Sequence, residues 1–460
     1  MISRALSRRE FLRVCAGTMG AMLAAGCAPI PATPAPEEAV PEAPPAKVAV
    51  TLQFWAEGFS EWVEGRIDAY KELNPEVTVE FVTFKWGEMT PKLLTASAGG
   101  TPPDIVIQDR FRVAGWAGRG GATPLDDFVA QYNVKPEDYW SATWAEAVWA
   151  GHVYAIPFET DGRFIFWNKE IFEAEGLDPD TPPPSQDWEA MIDLAIQLTK
   201  QAADGSVDVM GFIPCQTLGY GNGGDYVYAW ANGAKYMKDE RTAWMDNPKL
   251  VETLQWEFDC VEAVGGIEKA SEFSSGWPTV AGFSPFGAGK LAMMVNGDWN
   301  LSTFAKYYPD LKFGMAPWRM RGKEDEYTGF AGGFCWAVPA GAKQLEPTFE
   351  FLNFLNSYES HLDAGIRYQV IPCLKKAALS DELINSSPYP ELRRMANESM
   401  EYANFRPVTP VAEEIQDLWT YPGTGRDWVL YGKKTPEEAC KDMQEIVQKA
   451  LDEYWASVGA

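Results

Sequence analysis

The 460-residue chain carries 65 acidic against 39 basic side chains, a formal charge of −26, and 13% of its residues are aromatic, 19 of them tryptophan. That balance excludes nucleic acid as a partner, because an acidic surface repels phosphates instead of neutralising them. Only two histidines, His152 and His361, are present and no C-x-x-C pair occurs, so the expectation is no metal and no cofactor.

The first segment reads as an address. Arg4, Arg8, Arg9 and Arg13 make a basic start, a mildly apolar run follows from Val14 to Ala25, and small residues lead to Cys27. The paired Arg8 and Arg9 point to the twin-arginine export route, and the run is too short and too rich in Gly and Ala for a bilayer-spanning helix, which needs about 20 strongly apolar residues. Leu23-Ala24-Ala25-Gly26-Cys27 resembles the lipobox of bacterial lipoproteins, with Ala24 where that motif places leucine. Residues 1–27 are therefore expected to be a signal with Cys27 as the lipidated residue. Cleavage before Cys27 removes four arginines and Glu10, a net +3, which takes the charge from −26 to −29. From Ala28 to Lys47 the chain is mostly Pro, Ala and Glu without an aromatic residue, as suits a semi-stiff tether that cannot bury apolar area.

The remaining body, about 410 residues from Val48, is too large for one small core and is expected to divide into two lobes. Val48–Trp55 is rich in β-formers, Glu61–Leu73 has helical spacing and Asn74-Pro75 stops it. Val77–Val82 alternates as a second strand, the helix near Met89–Ala98 ends at Gly99-Gly100, and Asp104–Ile107 is a short buried strand of the parallel type. This β-α-β-α-β order defines an α/β lobe, in which ligands sit beyond the carboxyl ends of the strands. Five cysteines of the body, Cys215, Cys260, Cys335, Cys373 and Cys440, are an odd set without metal spacing and read as buried small apolar residues.

Phe54-Trp55, Asn74-Pro75-Glu76-Val77, Ala98-Gly99-Gly100-Thr101-Pro102-Pro103-Asp104-Ile105-Val106, Gly151–Pro157, Trp167-Asn168-Lys169, Gly289–Trp299, Gly332–Pro339 and Gly432–Ala439 follow one another in an order that resembles the family 1 extracellular solute-binding proteins, the maltose-binding-protein-like sugar receptors of ABC importers. The resemblance spans roughly residues 50–455. It implies a bilobed periplasmic-binding-protein fold of the type II class, two α/β lobes joined by a hinge of several crossovers. Those crossovers are expected at Pro157–Thr160, Ala316-Pro317 and Tyr368–Pro372, giving lobe 1 as 48–157 with 317–369 and lobe 2 as 158–316 with 370–460. It further implies a monomer that binds a small carbohydrate and meets the transmembrane permease subunits, with no enzymatic activity.

The same resemblance supplies candidate contacts. Glu57 follows the first strand; Gln108 and Asp109 end the Asp104 strand; Asp161 and Trp299 match a binding carboxylate and a sugar-stacking aromatic. Asp225 and Tyr226 close a glycine-rich loop that lacks the ending of a phosphate loop. Gly332, Gly333 and Phe334 are candidates for backbone contacts, and Trp419, with Tyr421 and Trp428, for a far wall. Carboxylates accept hydrogen bonds from neighbouring hydroxyls while an aromatic face covers the C–H side of a pyranose, the combination sugar recognition requires. Two alternatives remain at this point: a binder of another polar solute such as a glycerol phosphate ester, and an exported glycoside hydrolase using Glu159 and Asp161.

Overall fold

The computed structural model describes residues 49–85, 87–214, 223–277 and 282–459. Cys27, the signal and tether, Cys215 and the first half of the glycine-rich loop, residues 219–222, lie outside the described residues.

The chain enters through β1 (Val50–Glu57), whose alternate residues Leu52, Phe54 and Ala56 are fully buried. α1 (Ser60–Leu73) crosses back to β2 (Val77–Phe84), and α2 (Met89–Ala98) leads to β3 (Ile105–Asp109). β1 lies parallel to β2, with Val50 opposite Val77, and parallel to β3, with Phe54 opposite Ile105. β4 (Ala155–Pro157) completes this part before the chain passes through β5 (Glu159–Thr160) into β6 (Arg163–Asn168), every residue of which is buried. A wholly buried strand belongs in the middle of a sheet. β6 is flanked on both sides, and at its end the Asn168 side chain caps the next helix by accepting from the N–H groups of Glu170 and Ile171.

Further along come β7 (Lys200–Gln201), β8 (Val207–Phe212), α3 (Gly224–Ala231), β9 (Leu291–Gly297), β10 (Phe313–Arg319), β11 (Tyr327–Phe330) and β12 (Phe334–Ala337). The last part contributes β13 (Ile371–Pro372), α4 (Pro390–Glu398), β14 (Ala403–Asn404), α5 (Ala412–Thr420) and α6 (Arg426–Leu430). The strands form a five-stranded sheet in the order β2-β1-β3-β12-β4 and a seven-stranded sheet in the order β14-β11-β10-β6-β9-β8-β7. A two-stranded β13-β5 pair, Ile371 opposite Thr160 and Pro372 opposite Glu159, lies where the chain passes between them.

Each sheet carries its own hydrophobic core. Trp62, Phe158, Trp336 and Phe351 belong to the first; Phe166, Phe212, Trp318, Ile415, Trp419 and Val447 to the second. Trp62, Trp140, Trp318, Trp336 and Trp419 are among the largest fully buried side chains, so much of the aromatic content serves the cores, where each ring removes 150–250 Å² from water by typical values.

One expected boundary is corrected. Ala316 and Pro317 stand inside β10, opposite Ile165 and Phe164 of β6, and the chain then runs on through β11 in the same sheet. It returns to the first sheet only across Ala331, Gly332 and Gly333. Residues 317–330 therefore belong with the second lobe. Proline misled the sequence reading because its missing N–H suggests a connector; here Pro317 is the last residue of β10 to pair with β6, opposite Phe164, where that loss is tolerated.

A candidate binding site at the strand ends

The ends of β3, β9 and β11 and the starts of β6 and β12 converge on the crossovers. Asp109 ends β3 and stands opposite Phe334 at the start of β12. Gly297 ends β9 opposite Arg163 at the start of β6. From these ends the structure assembles one continuous cluster. The carboxylate of Asp161 lies 2.5 Å from Arg163 Nη1. The Arg163 guanidinium carbon sits 4.7 Å from the centre of the Trp299 ring and 4.5 Å from that of Phe330. Phe330 also meets Tyr226 at 6.1 Å and Trp230 at 5.9 Å, and lies 5.6 Å from the guanidinium of Arg406.

Arg406 carries the cluster across to the first lobe. Its Nε and Nη2 form a two-pronged pair with Glu146 at 3.0 and 3.2 Å, and Nη2 also reaches Asp109 at 2.8 Å. Burial opposes the charge on Arg406, but Asp109 and Glu146 outweigh it and hold the group firmly protonated. Arg110 joins the same lattice, 3.3 Å from Glu146, and donates to the backbone carbonyls of Glu159, Gly332 and Phe334. A buried arginine with this many acceptors pins the crossover strands together.

The floor is acidic. Glu159 is buried, accepts from the Phe334 N–H at 2.8 Å, and is pushed well above the ordinary carboxylate range by burial and then by the charge of Asp161. Asp298 accepts from the Gly162 N–H at 3.0 Å and pairs with Arg393 at 2.7 Å; burial raises its pKa and Arg393 resists. Arg393 in turn donates to the carbonyl of Gln369 at 2.6 Å, tying α4 to the last crossover.

Measured against the sequence expectations, Asp109, Asp161, Tyr226 and Trp299 come together. Tyr226 is buried, and its hydroxyl has no partner among the described residues. The others have different duties. Glu57 Oε1 accepts from the Met89 N–H at 2.6 Å and so serves the first turn of α2. Gln108 points to the opposite face of the sheet from Asp109, lining a cavity of about 360 Å³ with Leu93, Arg112 and Trp116. The amide of Gly332 donates to the carbonyl of Asp161 and that of Phe334 to Glu159, so these backbone groups are spent on the crossover. Gly333 adopts φ 101° and hugs Glu159 so closely that a side chain would strike it.

Two candidates are corrected outright. Asp225 is fully buried in the second core against Arg426, and burial lifts its pKa to about 6 despite that partner. Trp419 is fully buried too, donating its indole N–H to the Asp225 carbonyl at 3.1 Å. Tyr421, by contrast, is 38% exposed. Sequence reasoning missed Arg163, Phe330, Arg406 and Glu146. Arg163, two residues beyond Asp161, was the one within reach of a local signal; the rest are joined only by the fold.

Among the described residues no cluster of three or more His, Cys, Asp and Glu side chains is placed to hold a metal ion.

The chain belongs to the bacterial extracellular solute-binding proteins, whose family pattern it matches over residues 65–391. It is 24% identical over 414 residues to the diacetylchitobiose-binding protein of Streptomyces coelicolor, covering 87% of this chain and 90% of that one. It is also 24% identical over 370 residues to the maltooligosaccharide ABC transporter solute-binding lipoprotein of Streptococcus pneumoniae, covering 74% and 79%. Among solved structures, CpMnBP1 with mannobiose bound superposes with a TM-score of 0.75 at 25% identity, over 87% of this chain and all (100%) of that one. The fold is thus that of a sugar-type solute-binding protein.

Proposed function

We propose that this protein captures a carbohydrate between its two lobes and delivers it to the transmembrane subunits of an ABC importer, tethered to the membrane by a lipid on Cys27 after twin-arginine export. The observation that carries this reading is the cluster itself: Asp109 and Asp161 supply acceptors and the partly exposed Trp299 a ring face, with Phe330 and the buried Tyr226 packed behind them, at the ends of strands from both sheets. The sugars named with the relatives above are consistent with it.

The cluster's charge favours a neutral sugar over a glycerol phosphate ester. Arg110, Arg163 and Arg406 each face a carboxylate, on Glu146, Asp161 and Asp109 with Glu146. The segments outside the described residues in the body, Trp86, 215–222 and 278–281, contain no Lys or Arg in sequence. A phosphate would have to displace a carboxylate to find its cation, whereas hydroxyls insert between acceptor and donor at little electrostatic cost. Capture without chemistry also fits Glu159, whose buried carboxyl is committed to the Phe334 N–H.

Thermal melting with maltotriose, mannobiose, diacetylchitobiose and glycerophosphodiesters tests the proposal. A bound sugar at 100 times its Kd adds about 2.7 kcal/mol of stability, and chromatography of the same samples should show no cleavage. Stabilisation by the phosphate esters alone would overturn the carbohydrate reading, and cleavage products would overturn the non-enzymatic one.

A further inference from the structure

Three glycines around the cleft cluster make room for one side chain arrangement. At Gly297 a Cβ would run into the six-membered ring of Trp299; at Gly332 it would strike both the Asp161 carboxylate and the Phe330 ring; at Gly223 it would lie 2.7 Å from Arg163 Nε. Gly223 faces Arg163 itself and the other two face groups that Arg163 touches: its side chain is 7% exposed, its guanidinium carbon lies over both the Trp299 and Phe330 rings, and Nη1 holds Asp161 and the Gly162 carbonyl. Side chains absent from three separate segments leave a space whose shape is that of this stack.

We infer that Arg163 is a positioning residue that sets Asp161 and Trp299 in their ligand-binding arrangement before any ligand arrives. The inference rests on the carbohydrate reading for its ligand, though not for its geometry. Asp161 sits in a crossover beside two buried acids, Glu159 and Asp298, each of whose protonation its charge promotes. Unopposed, three neighbouring carboxyl groups repel, and Asp161, its side chain 21% exposed while Glu159 and Asp298 are buried, is the one with room to turn away. The guanidinium supplies the counter-charge. Being planar, it can lie flat between two rings and present an edge to the carboxylate at once, which a lysine ammonium cannot do. It also covers one face of Trp299, so that a sugar stacks on the indole's remaining surface or edge and not on a freely swinging ring. Holding these groups beforehand removes an ordering cost from the binding step.

The test has a ligand-free arm and a ligand arm. In crystals of ligand-free Arg163→Met, Asp161 and Trp299 should leave the positions they hold in the parent; both staying in place would overturn the inference whatever the ligand is. In calorimetry, with whichever of maltotriose, mannobiose or diacetylchitobiose the parent binds, Arg163→Met should weaken affinity about 10- to 100-fold, with Arg163→Lys between it and the parent. The decisive comparison is a double-mutant cycle. Asp161→Asn should cost at least about tenfold alone but under about threefold in the Arg163→Met background, because its position has already been lost. Fully additive losses, or parent-like affinity in Arg163→Met, would refute positioning. If Arg163→Met fails to fold, the cycle and the crystals are run on Arg163→Lys with the same criteria. A parent that binds no carbohydrate sinks the carbohydrate reading, and the ligand-free arm then decides the positioning claim alone.

Discussion

Asp161 and Asp225 both look like cleft carboxylates in the sequence, and the structure gives them opposite surroundings, so exchanging each for its amide should separate binding from stability. Asp161 is partly exposed beside Trp299 and Arg163. Losing a charge-assisted hydrogen bond there costs about 1.5–3 kcal/mol, a roughly 10- to 150-fold weaker Kd, with little change in melting temperature. Asp225 faces only the interior, where Arg426 is shared with Glu257 at 3.8 Å and Asp427 at 3.9 Å. Asp225→Asn should leave sugar affinity within about twofold, or about 0.4 kcal/mol, since its carboxylate is buried against Arg426 and does not reach the cluster. What changes is the pH dependence of stability. Burial raises Asp225 from 3.8 to about 6; the stabilisation that goes with a raised acid is complete below the unfolded value and lost as pH climbs through the folded one. Between pH of about 4.5 and about 7.5 that linkage removes about 2 kcal/mol from the parent, or roughly 2–3 °C for a body of about 410 residues. Asparagine cannot titrate, so the melting temperature of Asp225→Asn relative to the parent should rise by that amount across the same range. Calorimetric titration and melting curves at the two pH values decide the matter. A tenfold affinity loss in Asp225→Asn with no change in the pH trend would refute its placement in the core.

Other consequences follow from single contacts. His361 is buried against Trp336, and burial drops its pKa to about 3; a base lowered in the fold resists protonation that the unfolded chain accepts, so stability falls as pH drops below about 6.5, by about 2 kcal/mol at pH of about 5. His361→Gln should flatten that fall in melting curves, and an unchanged slope would contradict it. Arg112 pairs with Glu413 across the two lobes, the side chains 27% and 48% exposed; at such exposure the pair contributes up to about 1 kcal/mol. Arg112→Glu should therefore weaken closure, with a larger radius of gyration by small-angle scattering in the ligand-free protein and about two- to fivefold weaker binding. The swapped double variant Arg112→Glu with Glu413→Arg should restore both, and failure to restore either argues against the pair. Cys27→Ser should move the exported protein from the membrane fraction to the soluble one; equal retention of both forms would remove the lipid anchor from the account.

The fold was legible because its signals are local. Alternation in Val50–Glu57, the Asn74-Pro75 stop and the run of buried residues at Ile105–Ile107 each report their own environment. The β-α-β-α-β order then allows few topologies. The misplaced return to the first sheet is a failure of the same logic. A Pro at the last rung of a strand pairing and a Pro in a connector look alike in sequence, and only the pairing of Ala316 with Ile165 and of Pro317 with Phe164 tells them apart.

The site was legible only by half, and for a physical reason that the arginines make plain. A carboxylate or an indole at a strand end can be recognised alone, because either one suits a sugar hydroxyl or ring whatever stands beside it. Arg163 and Arg406 acquire meaning only from what the fold brings to them: Phe330, 167 positions after the one and 76 before the other, lies against both. Glu146 meets Arg406 from 260 residues away. The error over Asp225 has the same origin reversed. Its loop looked like a cleft lip because glycines and polar residues cluster there, yet the helix that follows, Gly224–Ala231, is buried along its whole length, so its first acidic residue needs Arg426 inside the core. Charge alone marks a candidate; what decides between a ligand contact and a core pair is whether the fold leaves a carboxylate a route to solvent. Asp161 keeps one and Asp225 does not.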